Sequence, residues 1–225
     1  MRNDQLKASG FWEAAIQERP ELRQWFAHWQ GSLGGKSSPL QDELPWMTYA
    51  AISWLDQFLR PEMSVFEWGS GGSSAFFAKR VRSVRSVEHD SAWFGSVVDA
   101  LKTRGYANGE VYLVEPVRGA LSTSRYVSSS PDYVGCCFER YASFIDSCPD
   151  ESFDLVVVDG RARPGCIQHA LPKVKRGGFL LLDNSERAAY QAGCSVVDAW
   201  PGERMWGPGP YNSYPWETRI WRKEP

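Results

Sequence analysis

The spacing of hydrophobic positions along this chain changes near residue 60. Before it, apolar residues recur at helical intervals. Leu22, Trp25, Phe26 and Trp29 fall on one stripe, and Met47, Ala51, Ile52, Leu55 and Phe58 on another. Residues 3–30 therefore read as two short helices, with Pro20 at a first helical position and Gly31 at a stop. A third helix is predicted over 43–60, ended by Pro61. Beyond it, short apolar runs alternate with helical stretches. The pattern predicts strands at 65–67, 85–88, 111–115, 154–159, 178–183, 196–200 and 218–221, with helices at 74–80, 93–103, 133–147 and 167–174. The uninterrupted run ending at Asp159 suits a parallel strand covered on both faces. Residues 116–132 are serine-rich without a period and read as a loop.

This alternation predicts an α/β fold, a doubly wound and mainly parallel sheet of seven strands whose last strand is antiparallel. Residues 1–60 would form a helical N-terminal cap and 61–225 the core, within one domain of 225 residues. Ligands of such sheets bind beyond the carboxyl ends of the strands, where the strand order reverses. Five predicted strands end there in an acid: Glu67, Glu88, Glu115, Asp159 and Asp183.

The first of these acids opens the most informative stretch, Glu67-Trp68-Gly69-Ser70-Gly71-Gly72-Ser73-Ser74. Glycines allow a sharp turn and close approach of backbone to a ligand. A dinucleotide pyrophosphate would want the turn and a helix N-terminus but not a carboxylate beside them. S-adenosylmethionine (SAM) carries an ammonium and a sulfonium and no phosphate, so Glu67 suits it electrostatically. Glu88 follows 21 residues later, where a ribose-binding acid belongs in a βαβ unit. With that acid-x-Gly-x-Gly pattern and its second acid, the chain resembles the class I SAM-dependent methyltransferases from about Leu44 to Trp221, with Ser73 where many members have a third glycine. The resemblance implies a Rossmann-like methyltransferase fold. It also implies SAM bound by Glu67, Gly69, Ser70, Gly71, Ser73, Ser74, Glu88, His89 and Asp159, with Glu115 near adenine.

Asp159, Asp183 and Asn184 cluster hard oxygen donors at two neighbouring strand tips, the set that Mg²⁺ prefers. Here the chain is similar to the catechol and caffeoyl-CoA O-methyltransferases. The similarity implies a divalent cation on Asp159, Asp183 and Asn184 that lowers the pKa of an acceptor hydroxyl. Two other readings stay open. Asp159 could be a metal-free base, and Asp183 with Glu186 has the spacing of a capping box. Arg161 and Arg163 follow the fourth strand directly and suit an anionic group on the acceptor. Asp159 and Arg161 are thus the candidate catalytic pair. His28 has no assigned role, and His169 could face the cleft.

Composition narrows the partners. Net charge is −2 with no basic run, which disfavours nucleic acid and acidic membranes. The five cysteines form no ligand spacing and fit a reducing, cytoplasmic setting. Neither a signal peptide nor a membrane-length apolar run is visible. The stretch Gly31–Ser37 looks like a phosphate-binding loop but has Gln30 where its first glycine is required, and no strand precedes it. Eleven tryptophans are unusual, and several precede the first strand, where they could cap the site or form a homodimer surface. The expectation is a methyltransferase acting on an oxygen of a small molecule or glycan with Mg²⁺. The alternatives are a metal-independent N-methyltransferase and a non-catalytic nucleotide-binding module.

Overall fold

The computed structural model describes residues 2–35 and 37–224. Lys36, part of the phosphate-loop look-alike, lies outside the described residues, as does Met1. The N-terminal segment holds α1 (Arg2–Glu18), a 3₁₀ turn (Pro20–Trp25), α2 (Phe26–Ser32), α3 (Pro39–Asp42) and α4 (Tyr49–Phe58). The helix expected over 43–60 is shorter because Glu43 takes φ 52° and Pro45 follows it. Thr48 then caps α4 by accepting from the Ala51 amide at 3.4 Å.

The core runs β1 (Ser64–Trp68), α5 (Gly72–Ala78), β2 (Ser83–Glu88), α6 (Ser91–Thr103), β3 (Gly109–Leu113), β4 (Val117–Arg118), β5 (Cys136–Cys137), α7 (Glu139–Ala142), β6 (Phe153–Val158), α8 (Arg163–Ala170), β7 (Val174–Asp183), α9 (Gln191–Val197), β8 (Gly202–Gly207) and β9 (Trp216–Arg222). Seven strands form one sheet in the order β3-β2-β1-β6-β7-β9-β8. Only β9 runs against its neighbours, and every other pair is parallel. The order reverses between β1 and β6, which places the switch point beside the glycine turn.

Alternation along buried strands builds a core on each face. Val65, Leu155, Val157 and Leu181 face α4, α5, α6 and the N-terminal helices. Phe66, Trp68, Val156, Val158, Leu180 and Leu182 face α8 and α9. Of the early tryptophans, Trp12 and Trp29 are buried, Trp25 stacks on Tyr49 at 5.1 Å, and Trp46 is exposed. No helix among the described residues is long and apolar enough to cross a membrane.

Three expectations are corrected. Residues 196–200 are not a strand: Val196 and Val197 end α9, and the sixth strand of the sheet is 202–207. That strand is an edge with charged Glu203 and Arg204 exposed, so it lacks an apolar signature. The helix expected over 133–147 breaks at Gly135, whose φ is 75°, and β5 intervenes. Residues 116–132 contain β4, paired with β5, and a 3₁₀ turn at Ser124–Tyr126.

Candidate active site

A cleft of about 590 Å³ opens at the carboxyl ends of β1, β2, β6 and β7, within the size range of small-molecule sites. Gly69, Ser70, Gly71, Ser73, Glu88, His89, Asp159, Arg161, Asp183 and Asn184 all line it. Glu67 and Ser74 are not among the lining residues.

Glu67 sits under the turn. Its side chain leaves β1 on the same face as Val65 and meets α5 and β2, accepting from Ser74 Oγ at 2.5 Å and Ser86 Oγ at 2.6 Å. Ser74 Oγ in turn accepts from the Gly71 amide at 3.0 Å. Burial pushes the Glu67 pKa up to about 7, against the lowering effect of these hydroxyls. Its second oxygen is buried with no hydrogen-bond partner. The acid that pointed to a cationic ligand thus fixes the turn from below.

The turn itself requires glycine. Gly69 has φ 94°, and a Cβ there would lie 2.8 Å from the Asp159 carbonyl oxygen. Glu88, at the tip of β2, is buried and holds the upper side of the turn. One carboxylate oxygen accepts from the Ser70 amide at 3.1 Å and hydroxyl at 2.9 Å. The other accepts from the His89 and Asp90 amides at 2.7 and 3.0 Å. Burial works to raise the Glu88 pKa, but these donors win and lower it. His89 Nδ1 lies 2.8 Å from Glu88, and His89 Nε2 accepts from Arg161 Nε at 3.2 Å. Arg161 also lies over the Tyr133 ring at 5.2 Å, so it is braced by His89 and Tyr133 rather than standing free.

Between the tips of β6 and β7 lies Arg163, buried although charged. Its guanidinium pairs with the Asp159 carboxylate at 3.0 Å. It donates to the Gly160 and Asp159 carbonyls at 3.1 and 3.2 Å and to the Asp183 carbonyl. Asp183 Oδ1 accepts from Trp216 Nε1 at 3.0 Å and Thr218 Oγ1 at 2.6 Å. Burial raises the pKa of both Asp159 and Asp183, Arg163 opposes the rise in each, and a neighbouring carboxylate adds to it: Glu67 for Asp159 and Asp159 for Asp183. Asp159, which holds the direct ion pair, is the one kept ionised.

This donor set does not fit the divalent cation expected on Asp159, Asp183 and Asn184. A fixed guanidinium already supplies the positive charge between the strand tips, and Asp183 is committed to β9. No group of three or more His, Cys, Asp or Glu among the described residues could hold a metal. The capping-box reading of Asp183 fails too, because no helix starts there and Asn184 takes φ 51°. Arg163 is too engaged to meet an acceptor. His169 bonds Asp146 and Tyr126 rather than facing the cleft. Glu115 lines a neighbouring pocket that shares His89, Asp90 and Tyr133 with the cleft.

Sequence reasoning missed Asp90, Trp93, Tyr133 and Arg187 in the cleft wall. Trp93 had a readable signal: Asp90 caps α6 by accepting from the Trp93 amide at 2.8 Å, which puts Trp93 in the first turn. Its indole donates to the Ser70 carbonyl at 2.8 Å.

No family model matches the chain, and no curated protein matches it by sequence. Solved structures do match. An rRNA methylase from Streptococcus thermophilus is 14% identical with a TM-score of 0.54, over 84% of this chain and 99% of its own. A putative rRNA-methylase from Clostridium thermocellum is 13% identical with a TM-score of 0.53, over 80% of this chain and 99% of its own. A putative methyltransferase from Streptococcus mutans in complex with S-adenosylhomocysteine (SAH) is 12% identical with a TM-score of 0.51, over 76% and 94%. The fold is the Rossmann-like methyltransferase fold, with its seven-stranded sheet and antiparallel last strand. None of these three is described as a cation-dependent O-methyltransferase. The exclusion of nucleic acid as a partner does not stand: two of these neighbours are described as rRNA methylases, so a net charge of −2 is no ground for it.

Proposed function

We propose that this chain is a SAM-dependent methyltransferase that methylates an acceptor oxygen without a metal. The observation that carries the reading is the pinned glycine turn at the switch point, held from below by Glu67 and from above by Glu88. Beside it, a cleft of small-molecule size has Asp159 in its wall. The residues present fit SAM. Gly69, Ser70 and Gly71 offer a close backbone, Trp93 and Tyr133 offer ring surface, and ionised Glu88 sets a negative field for a cation. When bound, SAM supplies an electrophilic methyl group to a nucleophilic oxygen. Asp159 is placed to accept the proton of an acceptor hydroxyl. Its raised pKa brings it nearer to neutral pH, which favours general-base work. Arg163 holds that carboxylate in position and keeps it ionised.

The test is calorimetric titration of SAH into the purified protein in a chelator-containing buffer. Micromolar binding is expected, unchanged when Mg²⁺ replaces the chelator. Absence of SAH binding in both buffers, with tight binding of NAD instead, would overturn the reading in favour of a nucleotide-binding module.

A further inference from the structure

The floor of the cleft is made by the turn and the strand tips, but its mouth is of a different kind. Trp46 is 47% exposed and Tyr214 is 57% exposed, and both line the cleft. Keeping two large rings wet forgoes hydrophobic free energy, yet both are braced. Trp46 meets Tyr211 edge-on at 5.6 Å, and Tyr214 meets Trp216 edge-on at 6.3 Å. Two amide side chains, Asn184 and Asn212, line the same cleft. Asn184 is held in a left-handed backbone conformation, and the Asn212 carbonyl accepts from the Trp29 indole at 2.9 Å. Arg187 also lines the cleft and is exposed, leaning on the Tyr190 ring at 6.0 Å. Unlike Arg163, its charge is not used to hold the strand tips together.

These groups share one complementary chemistry. An exposed ring face accepts the apolar face of a pyranose. An amide offers donor and acceptor together, matching neighbouring hydroxyls. An exposed guanidinium fork pairs with a carboxylate or phosphate. A simple phenol would be served by an apolar slot and would leave both amides unused. A nucleic-acid strand is normally tracked by a row of cations, whereas the wall here also carries Glu88, Asp90, Asp159 and Asp183. We infer that the mouth binds a saccharide bearing an acidic group, with Trp46 and Tyr214 against the sugar ring and Arg187 on the acid. What is done to the sugar rests on the methyltransferase reading; its binding does not.

The experiment is saturation-transfer NMR on the full chain, with and without SAH. The probes are methyl glucuronide, glucose 1-phosphate, methyl glucoside, 4-hydroxybenzoate and a short oligouridylate. One or both acidic sugars should bind at least about tenfold more tightly than methyl glucoside, the effect of one charge-assisted pair. Which acidic sugar wins tells carboxylate from phosphate. Arg187→Ala should erase that preference, and Trp46→Ala should weaken all sugars, with SAH affinity and the unfolding midpoint unchanged in both. Binding of both acidic sugars no tighter than that of methyl glucoside, selection of 4-hydroxybenzoate or the oligouridylate, or an intact preference in Arg187→Ala would each overturn the proposal. A protein that binds the acidic sugar but no SAH keeps this site and loses the methyl-donor reading. The reverse result keeps the donor and loses the site.

Discussion

Two carboxylates in this structure do opposite things with their burial. Glu67 lies beneath the turn with a pKa raised to about 7 by desolvation. The folded chain therefore holds that proton more tightly than the unfolded chain does. The resulting stability is full below the ordinary carboxylate range and is lost as pH rises through about 7. At roughly 1.4 kcal/mol for each pH unit of displacement, the loss is on the order of 3 kcal/mol. Urea unfolding at pH 5 and pH 8 should show it, and Glu67→Gln should flatten the difference; equal slopes for both proteins would reject this account. Asp159 is the residue whose ionised form is proposed to work. Asp159→Asn should lower turnover by about 10²- to 10⁴-fold while SAH affinity, measured by calorimetry, stays within a small factor. In the wild type, turnover should fall on acidification, because protonation removes the base. A fully active Asp159→Asn enzyme is incompatible with the proposed role.

At the scale of elements, the junction of β1 with α5 and β6 is where backbone freedom is used. A Cβ on Gly69 would press on the Asp159 carbonyl, and φ there is positive. Gly95, within α6, has nothing within 4 Å of a built Cβ. Gly69→Ala should therefore cost about 1–3 kcal/mol and weaken SAH binding. Gly95→Ala should stabilise the fold by about 0.5–1 kcal/mol, as in any helix interior. Chemical denaturation of the two variants separates the cases, and a Gly69→Ala protein as stable as the parent counts against a strained turn. The same junction explains which elements could be read in advance. β1 and β6 are buried along nearly their whole length, so each carries a readable apolar run, Val65-Phe66 in β1 and Leu155-Val156-Val157-Val158 in β6. β8 is a charged edge and has no such pattern.

For the whole molecule, the N-terminal segment is a structural part of the cleft. Trp12 is 1% exposed and packs against Phe26, Trp29 and Tyr49. The Tyr49 backbone amide donates to the Pro208 carbonyl at 2.8 Å, and the Tyr211 hydroxyl donates to Asp42 at 2.8 Å. These bonds tie the N-terminal segment to the loop before β9, which carries Tyr211, Asn212 and Tyr214. Trp12→Ala should cost about 3–5 kcal/mol, the usual loss for a buried indole. The drop is measurable as a shift in the denaturant midpoint; a shift within error would mean that the aromatic cluster contributes little.

The sequence by itself determined the alternation of strands and helices, the glycine turn after β1, and the acids at the strand ends. Each depends on local period and on residue types a few positions apart. Only the tertiary structure decided what those acids face. Glu67 turns to Ser74 and Ser86, and Asp183 to Trp216 and Thr218 on β9. Arg163, which reads in the sequence as one of two arginines suited to an anion on the acceptor, becomes the buried cation between β6 and β7. The physical reason is the same in each case: burial strips a polar group of water, and the partner that replaces the water comes from another strand or helix.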